Sequence, residues 1–258
     1  MPDMRVTFLG TGTSQGIPVI ACDCDVCQST DTRDCRLRTS IMVEHAGRVI
    51  VVDTGPDFRQ QMLRHHVKRL DAVLFTHEHK DHVAGLDDVR AFNFRQKEKI
   101  EIYGTLAVHD ALRREFHYAF SDFKYPGVPE LSLNEIKNEP FQLLGLPFDP
   151  VEVMHYRMPV LGFRIHDFTY ITDAKTIAPN EMNKMRGTHT LVINALRKED
   201  HISHLTLSEA LEVIAEINPV RAYLIHISHL LGKHAEVEEE LPQNVQLAYD
   251  GLVLDFQI

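Results

Sequence analysis

Three histidines and two carboxylates are concentrated in one short segment, residues 76–82, which reads THEHKDH. Divalent transition metals accept this mixture of imidazole nitrogen and carboxylate oxygen ligands. His77 and His79 are two residues apart and can reach one ion. Asp81 and His82, at the turn into the next helix, can reach a second ion. The segment therefore predicts a metal site with two ions.

Further ligands are expected at the ends of other predicted strands. His155 ends a strand that begins at Pro150, and His226 follows a strand that ends at Ile225. Asp173 follows another strand and could bridge two ions through its two oxygens. Because ligands at several strand ends can meet at one edge of a sheet, these three residues are candidates to complete the site.

A second candidate metal site is the cysteine cluster Cys22-x-Cys24-x-x-Cys27. Three thiolates on one short loop are one ligand short of a tetrahedral structural zinc site. The fourth ligand could be Cys35 or a distant histidine. The chain has four cysteines in all, too few and too local for a secreted disulfide framework.

The elements that must position these side chains alternate short β-branched runs with helical patterns. Helices are predicted over Val83–Arg95 and over Thr206–Ile217, where Thr206 and Glu209 have the spacing of a capping box. The pattern predicts two mixed sheets between helices, in a single domain, residues 1–258. Strands are expected at Val6–Leu9, Thr39–Val43, Val49–Asp53, Ala72–Thr76, Ile100–Tyr103, Pro150–His155, Val160–Ile165, Phe168–Thr172, Thr190–Ala195, Leu224–His226, Val245–Ala248 and Leu252–Phe256.

Composition limits the class of partner. The chain has 258 residues, of which 44% are apolar and 25% charged, which is typical of a globular protein. Lys and Arg number 27 against 37 Asp and Glu, a net charge of −10, and no basic run stands out. A long nucleic acid is therefore not expected as a ligand. The sequence contains neither an apolar run of membrane-spanning length nor a recognisable leader, so we expect a soluble, cytoplasmic protein without a membrane partner.

The loop His77-x-His79-x-Asp81-His82, followed in order by the three strand-end ligands, resembles the metallo-β-lactamase superfamily. The resemblance covers essentially the whole chain. It implies a four-layer αββα sandwich, in the α/β class, with a dinuclear metal site at one edge. It also implies that Asp53 supports the metal loop without binding metal. The implied ligands are His77, His79 and His155 for the first ion, Asp81, His82 and His226 for the second, and Asp173 for both.

Within the superfamily, the cysteine loop is similar to that of the PhnP-like cyclic phosphodiesterases. In that branch the fourth zinc ligand is the second histidine of a His-x-x-His pair, and this chain has the pair as residues 226–229 (HISH). The resemblance thus implies that Cys22, Cys24, Cys27 and His229 hold one structural Zn²⁺, which leaves Cys35 free.

The same branch implies a substrate-facing histidine that is not a ligand. His204 lies 22 residues before His226, a similar spacing, although His201 remains an alternative. The expected function is a dinuclear metal-dependent hydrolase, most simply a phosphodiesterase for a small cyclic or linear substrate similar to 5-phosphoribosyl 1,2-cyclic phosphate. A hydroxide that bridges two ions would attack phosphorus, with His204 and Asp81 as catalytic residues. The ions could be Zn²⁺ or Mn²⁺, with Fe²⁺ and Ni²⁺ as further possibilities, and a homodimer is possible.

Three other functions compete with this interpretation. tRNA 3′-end processing endonucleases share the metal loop, but they carry an arm that grips tRNA, and the insertion Phe120–Pro129 is short. Thioester or lactone hydrolases typically follow the loop with two glycines, where this chain has Ala84 and Gly85. A non-catalytic metal-binding protein would be expected to lack ligands. Thr13, Ser14, Tyr156 and Arg157 are candidate contacts for phosphate or ribose.

Overall fold

A computed structural model describes residues 3–123 and 125–258 and shows two mixed β-sheets packed face to face. The first sheet has seven strands in the order β15-β1-β2-β3-β4-β5-β6. Strands β3 to β6 are parallel to one another, whereas β15, β1, β2 and β3 pair antiparallel. These strands are Met4–Gly10 (β1), Ser40–His45 (β2), Arg48–Val52 (β3), Ala72–Leu74 (β4), Ile100–Gly104 (β5), Leu131–Glu135 (β6) and Val253–Phe256 (β15).

The second sheet has the strand order β11-β8-β9-β10-β12-β13-β14, with β7 paired to β8. Strands β10, β12, β13 and β14 pair parallel, whereas β11, β8, β9 and β10 pair antiparallel, with β8 and β9 forming a long hairpin. The strands are Phe141–Leu143 (β7), Leu146–His155 (β8), Met158–Ile165 (β9), Phe168–Tyr170 (β10), Thr176–Ile177 (β11), Thr190–Asn194 (β12), Arg221–Ile225 (β13) and Val245–Leu247 (β14).

The central core lies between the two sheets, and the alternation of side chains along each strand explains it. In β3, Ile50 and Val52 face the second sheet, while Val49 and Val51 face the helices on the outside. In β12, Val192 faces inward and Leu191 outward. Strands that are buried on both faces consist of nearly continuous apolar residues. The sequence predicts these strands well because such runs are easy to recognise.

Helices cover both outer faces, so the fold has the four αββα layers that the sequence predicts. One group packs on the first sheet and the other on the second. The helices are Phe58–Arg64 (α1), Lys80–Val83 (α2), Arg90–Gln96 (α3), Leu106–Glu115 (α4), His117–Phe120 (α5), Pro179–Met185 (α6), Leu207–Ile217 (α7) and His234–Glu238 (α8). None of the helices in the described residues is long and apolar enough to cross a bilayer.

The single helix predicted over Val83–Arg95 is wrong. That stretch contains the end of α2, a 3₁₀ turn at Leu86–Val89 and then α3. The backbone N–H of Gly85 donates to the carbonyl of Thr54 at 2.8 Å, and this bond draws the chain out of the helical path toward the loop after β3. The break keeps the metal loop against that neighbouring loop.

The helix predicted near Thr206 is confirmed. The Thr206 hydroxyl accepts from the backbone N–H of Glu209, and the Glu209 carboxylate accepts from the backbone N–H of Thr206. This capping box satisfies two otherwise unpaired donors at the start of α7. The helix α4, the strand β6 and the helix α6 were not expected from the sequence, and the description of one domain over residues 1–258 stays a prediction.

Candidate metal centre

Four chain segments bring the predicted ligands to the same edge of the sandwich. The metal loop follows β4 and leads into α2, His155 ends β8, Asp173 lies three residues after β10, and His226 follows β13 directly. A backbone hydrogen bond of 3.1 Å from Leu161 of β9 to the carbonyl of Thr76 ties the two sheets together at this edge. The fold therefore positions ligands from both sheets around one centre.

Three of the residues at this edge have a backbone conformation that is unfavourable for L-amino acids. Asp53, Asp173 and His226 have φ angles of 65°, 58° and 54°, in the left-handed region. Asp53 directly follows β3, His226 directly follows β13, and Asp173 lies three residues after β10, so each lies where the chain leaves a strand. Strain of this kind is concentrated at functional sites.

Asp173 lies at the middle of the site, between donors from both sheets. Its Oδ2 atom is 3.3 Å from Nε2 of His82 and 3.4 Å from Nδ1 of His226. Nε2 of His82 is also 3.2 Å from Oδ2 of Asp81. Donor atoms within 4.8 Å of one another form three overlapping groups, which are His77, His82 and Asp173; Asp81, His82 and His226; and His155, Asp173 and His204.

The structure also brings together the three histidines assigned to the first ion. The ring centroids of His77 and His79 are 4.8 Å apart, and those of His79 and His155 are 5.1 Å apart. Nδ1 of His155 lies 3.1 Å from the carbonyl oxygen of Asp173, which leaves Nε2 to face the centre. His77 is buried and His79 is exposed, so the site reaches the surface on the side of His79.

Asp53 lies beneath the metal loop, where the family resemblance implies a supporting role. Its Oδ2 atom is 2.8 Å from Nδ1 of His82, and both side chains are buried. The same carboxylate accepts hydrogen bonds from the backbone N–H and the hydroxyl of Thr76, at 2.9 and 2.8 Å. The Thr76 hydroxyl also contacts Nδ1 of His77 at 2.9 Å. Sequence reasoning missed Thr76, because a threonine that ends a strand carries no signal of this role.

Three buried nitrogens that face the centre make no hydrogen bond, which tests whether the residues fit metal ions. Nε2 of His77, Nε2 of His82 and Nδ1 of His226 have no hydrogen-bond partner among the described residues, although the last two face carboxylate oxygens at 3.2 to 3.4 Å. Unpaired buried polar atoms are costly and rare in folded proteins. Imidazole nitrogens and carboxylates aimed at a common point are the donor set for divalent cations, so the residues fit such ions.

The electrostatics of the centre favour cation binding as well. Burial raises the pKa of Asp173, but His226 and His82 outweigh burial and hold that pKa well below its usual range. Burial lowers the pKa of His77 well below its usual value, so that ring is neutral and able to bind metal. Burial opposes the charge on His82, yet Asp173, Asp53 and Asp81 raise its pKa well above the usual value. A divalent cation would replace that proton.

His204 lies beside the metal ligands, whereas His201 contacts His204 and belongs to none of the groups of donor atoms. The ring of His204 is 4.5 Å from that of His155 and 4.8 Å from that of His226, measured between centroids. His201 is half-buried, with its ring 5.1 Å from that of His204. Nδ1 of His204 is 3.8 Å from Oδ1 of Asp173, so this ring also approaches the central carboxylate.

The cysteine cluster forms a second group of donors with His229. Nδ1 of His229 is 3.3 Å from the sulfurs of Cys22 and Cys24 and 3.6 Å from that of Cys27. A tetrahedral zinc with Zn–S near 2.3 Å and Zn–N near 2.0 Å requires sulfur and nitrogen ligands about 3.5 Å apart. Cys35 is exposed and is not part of the group.

Backbone pairing beside the cysteine group supports a structural clamp, whereas its thiols differ in ionisation. The hydrogen bond from the backbone of Cys27 lowers the pKa of Cys24 to about 6, whereas burial raises the pKa of Cys27 to about 11. The backbone of Ile227 is paired with that of Thr11 and Thr13 through two bonds of 3.0 Å. A metal ion held by these four donors would therefore tie the amino-terminal loop to the segment that carries His226.

The chain is similar to known proteins over most of its length. The family described as "Beta-lactamase superfamily domain" matches residues 48–227. An octanoyltransferase of Porphyromonas gingivalis is 42% identical over 252 residues, which are 96% of this chain and 51% of that protein. A ribonuclease Z of Acaryochloris marina is 27% identical over 170 residues, 64% of this chain and 48% of that protein. The chain thus spans about half the length of the curated relatives it matches.

Among solved structures, the crystal structure of a new diphosphatase from the PhnP family has a TM-score of 0.93 and 37% sequence identity. The match covers 99% of this chain and 98% of that one. Sequence and structure therefore agree on the family that the metal loop and the cysteine loop indicate. The chain belongs to the metallo-β-lactamase superfamily, in its PhnP-like branch.

Proposed function

We propose that this chain is a metal-dependent hydrolase that cleaves a small cyclic or linear phosphodiester. The observation that carries the proposal is the position of Asp173, which lies between the donors assigned to the two ions. The similarity to a diphosphatase of the PhnP family supports a hydrolytic reaction at phosphorus. The name of the P. gingivalis relative describes a protein about twice as long, so octanoyl transfer is not proposed for this chain.

Seven side chains would hold two divalent cations, with Zn²⁺ or Mn²⁺ as the first choices and Fe²⁺ or Ni²⁺ as further ones. When bound, two such ions lower the pKa of a water molecule toward neutrality and neutralise phosphate oxygens. The ligands would be His77, His79, Asp81, His82, His155, Asp173 and His226. A structural Zn²⁺ would be held by Cys22, Cys24, Cys27 and His229.

Two histidines at this centre would have different parts in the reaction of a phosphoryl substrate. His82 is fixed by its bond to Asp53, so its Nε2 faces the centre in one orientation. Burial lowers the pKa of His204 to about 3, so its ring is neutral and holds one N–H in the free protein. An anionic substrate beside it favours the protonated ring, which could donate a proton to the leaving oxygen.

The acidic balance of the chain supports a small anionic substrate over a long nucleic acid. A tRNA-sized ligand would require many cationic contacts, whereas the net charge is −10. A tRNA 3′-end endonuclease nevertheless stays the second candidate function, because the ribonuclease Z relative matches 64% of the chain.

The test is an activity panel on protein loaded with Mn²⁺ or Zn²⁺. We expect hydrolysis of bis(p-nitrophenyl) phosphate and of a ribose cyclic phosphodiester, with no cleavage of a precursor tRNA and none of S-lactoylglutathione. Asp173→Ala should lose the activity together with active-site metal. Cleavage of precursor tRNA would favour the endonuclease, and a fully metal-loaded protein that is inactive on every phosphoester would contradict the proposal.

A further inference from the structure

Asn194, the last residue of β12, is a buried polar residue that bonds the backbone of one other residue twice. Its Oδ1 atom accepts a hydrogen bond from the backbone N–H of Ala174 at 2.7 Å, and its Nδ2 atom donates to the backbone carbonyl of Ala174 at 2.9 Å. An amide side chain carries a donor and an acceptor side by side. The residue type therefore matches the two backbone groups that it contacts.

Ala174 directly follows Asp173, so the amide holds the turn that carries the central carboxylate. On the other side of that turn, the backbone N–H of Ile171 donates to the carbonyl of Val192 in β12 at 2.8 Å. Asp173 lies between these two contacts and has a φ angle of 58°. This conformation is unfavourable for aspartate and persists only where the neighbouring structure holds it. Strand β12 thus holds both ends of the turn, once through its backbone and once through Asn194.

The same contacts extend to two histidines of the site. The carbonyl of Ala174 also accepts a hydrogen bond, at 2.8 Å, from the backbone N–H of the residue that follows His204. In the parallel register of β12 and β13, Asn194 lies opposite Ile225, and the next residue along that segment is His226. The segments that carry the central carboxylate, the candidate proton donor and one predicted ligand therefore meet around this side chain.

The packing of the core does not explain an amide at this position. Leu191, Val192 and Ile193, which precede Asn194 in β12, are apolar and belong to the buried clusters on either face of the sheet. A buried amide is costly unless it is hydrogen-bonded, so an apolar residue would be the ordinary choice. Among the described residues, Oδ1 of Asn194 is the only acceptor for the buried N–H of Ala174. Loss of this acceptor would leave a donor unpaired beside the central carboxylate.

We infer that Asn194 is a positioning residue of the metal centre, which holds Asp173 between the two ions through the backbone of Ala174. The inference rests on the proposed function, because it adds a residue to the site that this function requires. In this role Asn194 would contact neither metal nor substrate. Its effect would pass through the carboxylate of Asp173 and, through the shared carbonyl of Ala174, through the segment of His204.

Asn93 provides a matched control, since its side chain makes the same pair of bonds elsewhere in the fold. Its Oδ1 atom accepts from the backbone N–H of Glu130 at 3.0 Å, and its Nδ2 atom donates to the carbonyl of Glu130 at 2.9 Å. Asn93 is buried in α3, which covers the outer face of the first sheet. Asn194→Leu and Asn93→Leu both replace an amide by an apolar group of the same branched shape. A purely structural role predicts lower unfolding midpoints in both variants and no further difference.

Binding of Co²⁺ distinguishes positioning from stability and needs no turnover. We expect Asn194→Leu to weaken Co²⁺ binding at the histidine centre about 10- to 100-fold relative to Asn93→Leu, the usual effect of losing a residue that orients a metal ligand. The visible absorption of Co²⁺ at this centre should also change in shape, because it depends on the arrangement of the ligands. Thiolate-bound Co²⁺ absorbs differently, so the cysteine group is followed separately in the same titration.

Asn194→Asp tests the hydrogen bonds rather than the size of the side chain. Its carboxylate keeps an acceptor for the N–H of Ala174, and the carbonyl of Ala174 keeps its bond from the residue after His204. We expect this variant to recover a Co²⁺ affinity within about tenfold of wild type, with absorption of the wild-type shape. If Asn194→Leu fails to fold, Asn194→Ala, which leaves room for water, is compared with Asn93→Ala, and the same difference is expected.

Kinetics and binding together decide the inference. With bis(p-nitrophenyl) phosphate and metal-loaded protein, Asn194→Leu should lower kcat about 10- to 100-fold with little change in KM, because the reacting groups are displaced. Equal Co²⁺ affinity and equal absorption in Asn194→Leu and Asn93→Leu would overturn the inference, as would a failure of Asn194→Asp to recover them. If the wild type hydrolyses no phosphoester, the proposed function fails, and the Co²⁺ comparison still decides about Asn194.

Discussion

Nδ1 of His82 lies 2.8 Å from Oδ2 of Asp53, with both residues buried at the junction of the metal loop and β3. The contact fixes which nitrogen of His82 faces the centre, because the N–H on Nδ1 is donated to the carboxylate. The second carboxylate oxygen is occupied by the backbone of Thr76. One buried carboxylate thus orients the metal loop at both of its ends.

We expect Asp53→Asn to weaken metal binding about 10- to 100-fold, the usual effect of losing a carboxylate behind a metal-binding histidine. The amide can still accept a hydrogen bond from Thr76, so the loop should stay folded. Titration of metal-free protein with Zn²⁺ or Mn²⁺ measures the affinity. Asp255→Asn removes an exposed carboxylate that pairs with Arg5 and serves as the control. Equal affinity in the two variants would show that Asp53 does not support the site.

A second prediction separates His204 from His201. Replacing His204 by Ala should reduce kcat about 10²- to 10⁴-fold, because a proton donor beside the leaving group is lost. The content of active-site metal should stay that of the wild type, as measured by elemental analysis. His201→Ala is the matched control, because the His201 ring is next to His204 but belongs to none of the groups of donor atoms. The kcat of this variant should fall less than about tenfold.

The outcome of this comparison can contradict the assignment in two ways. A large loss of kcat in His201→Ala alone would make His201 the substrate-facing residue. A loss of metal in His204→Ala would identify His204 as a ligand, which the short distance between its Nδ1 and Asp173 permits.

Much of the candidate site could be predicted because many of its residues are close together in the sequence. The metal loop places four ligands within six residues, and a spacing of this kind is visible without a structure. His155, Asp173 and His226 lie at or just after short apolar runs, and such runs predict strands from the sequence alone. Residue types then defined the chemistry.

Features that depend on tertiary contacts could not be predicted from the residues. The break after α2 arises from a backbone bond between Gly85 and Thr54, two loops that are distant in sequence. The approach of His229 to Cys22 spans 207 positions, and only the family resemblance indicated it.

The third prediction concerns the cysteine group. Cys24→Ser should lower the metal content by one ion per chain and lower the unfolding midpoint by about 5–15 °C, because a structural ion couples binding to folding. Cys35→Ser is the matched control, as this thiol is exposed and outside the group, and it should change neither quantity. An unchanged metal content in Cys24→Ser would remove the structural zinc from the description of the protein.

The last prediction concerns stability in acid and uses His234, which belongs to none of the groups of candidate metal ligands. Its Nδ1 atom is 3.0 Å from Nη2 of the buried Arg36, a donor, so Nδ1 accepts a hydrogen bond and stays unprotonated. Burial, assisted by Arg36, lowers the pKa of His234 to about 4. An unfolded histidine has a pKa of about 6.5. Between these two values the unfolded chain binds a proton that the folded chain does not.

The contribution of His234 to stability therefore falls as the pH decreases from about 6.5 toward 4. His234→Asn keeps an acceptor for Arg36 and cannot titrate in this range. Relative to its own value at pH 7, we expect the variant to lose about 1–2 kcal/mol less at pH 4.5 than the wild type, after allowance for solvent screening. Urea unfolding at both pH values measures the difference, and parallel losses in the two proteins would show that His234 is protonated in the folded state.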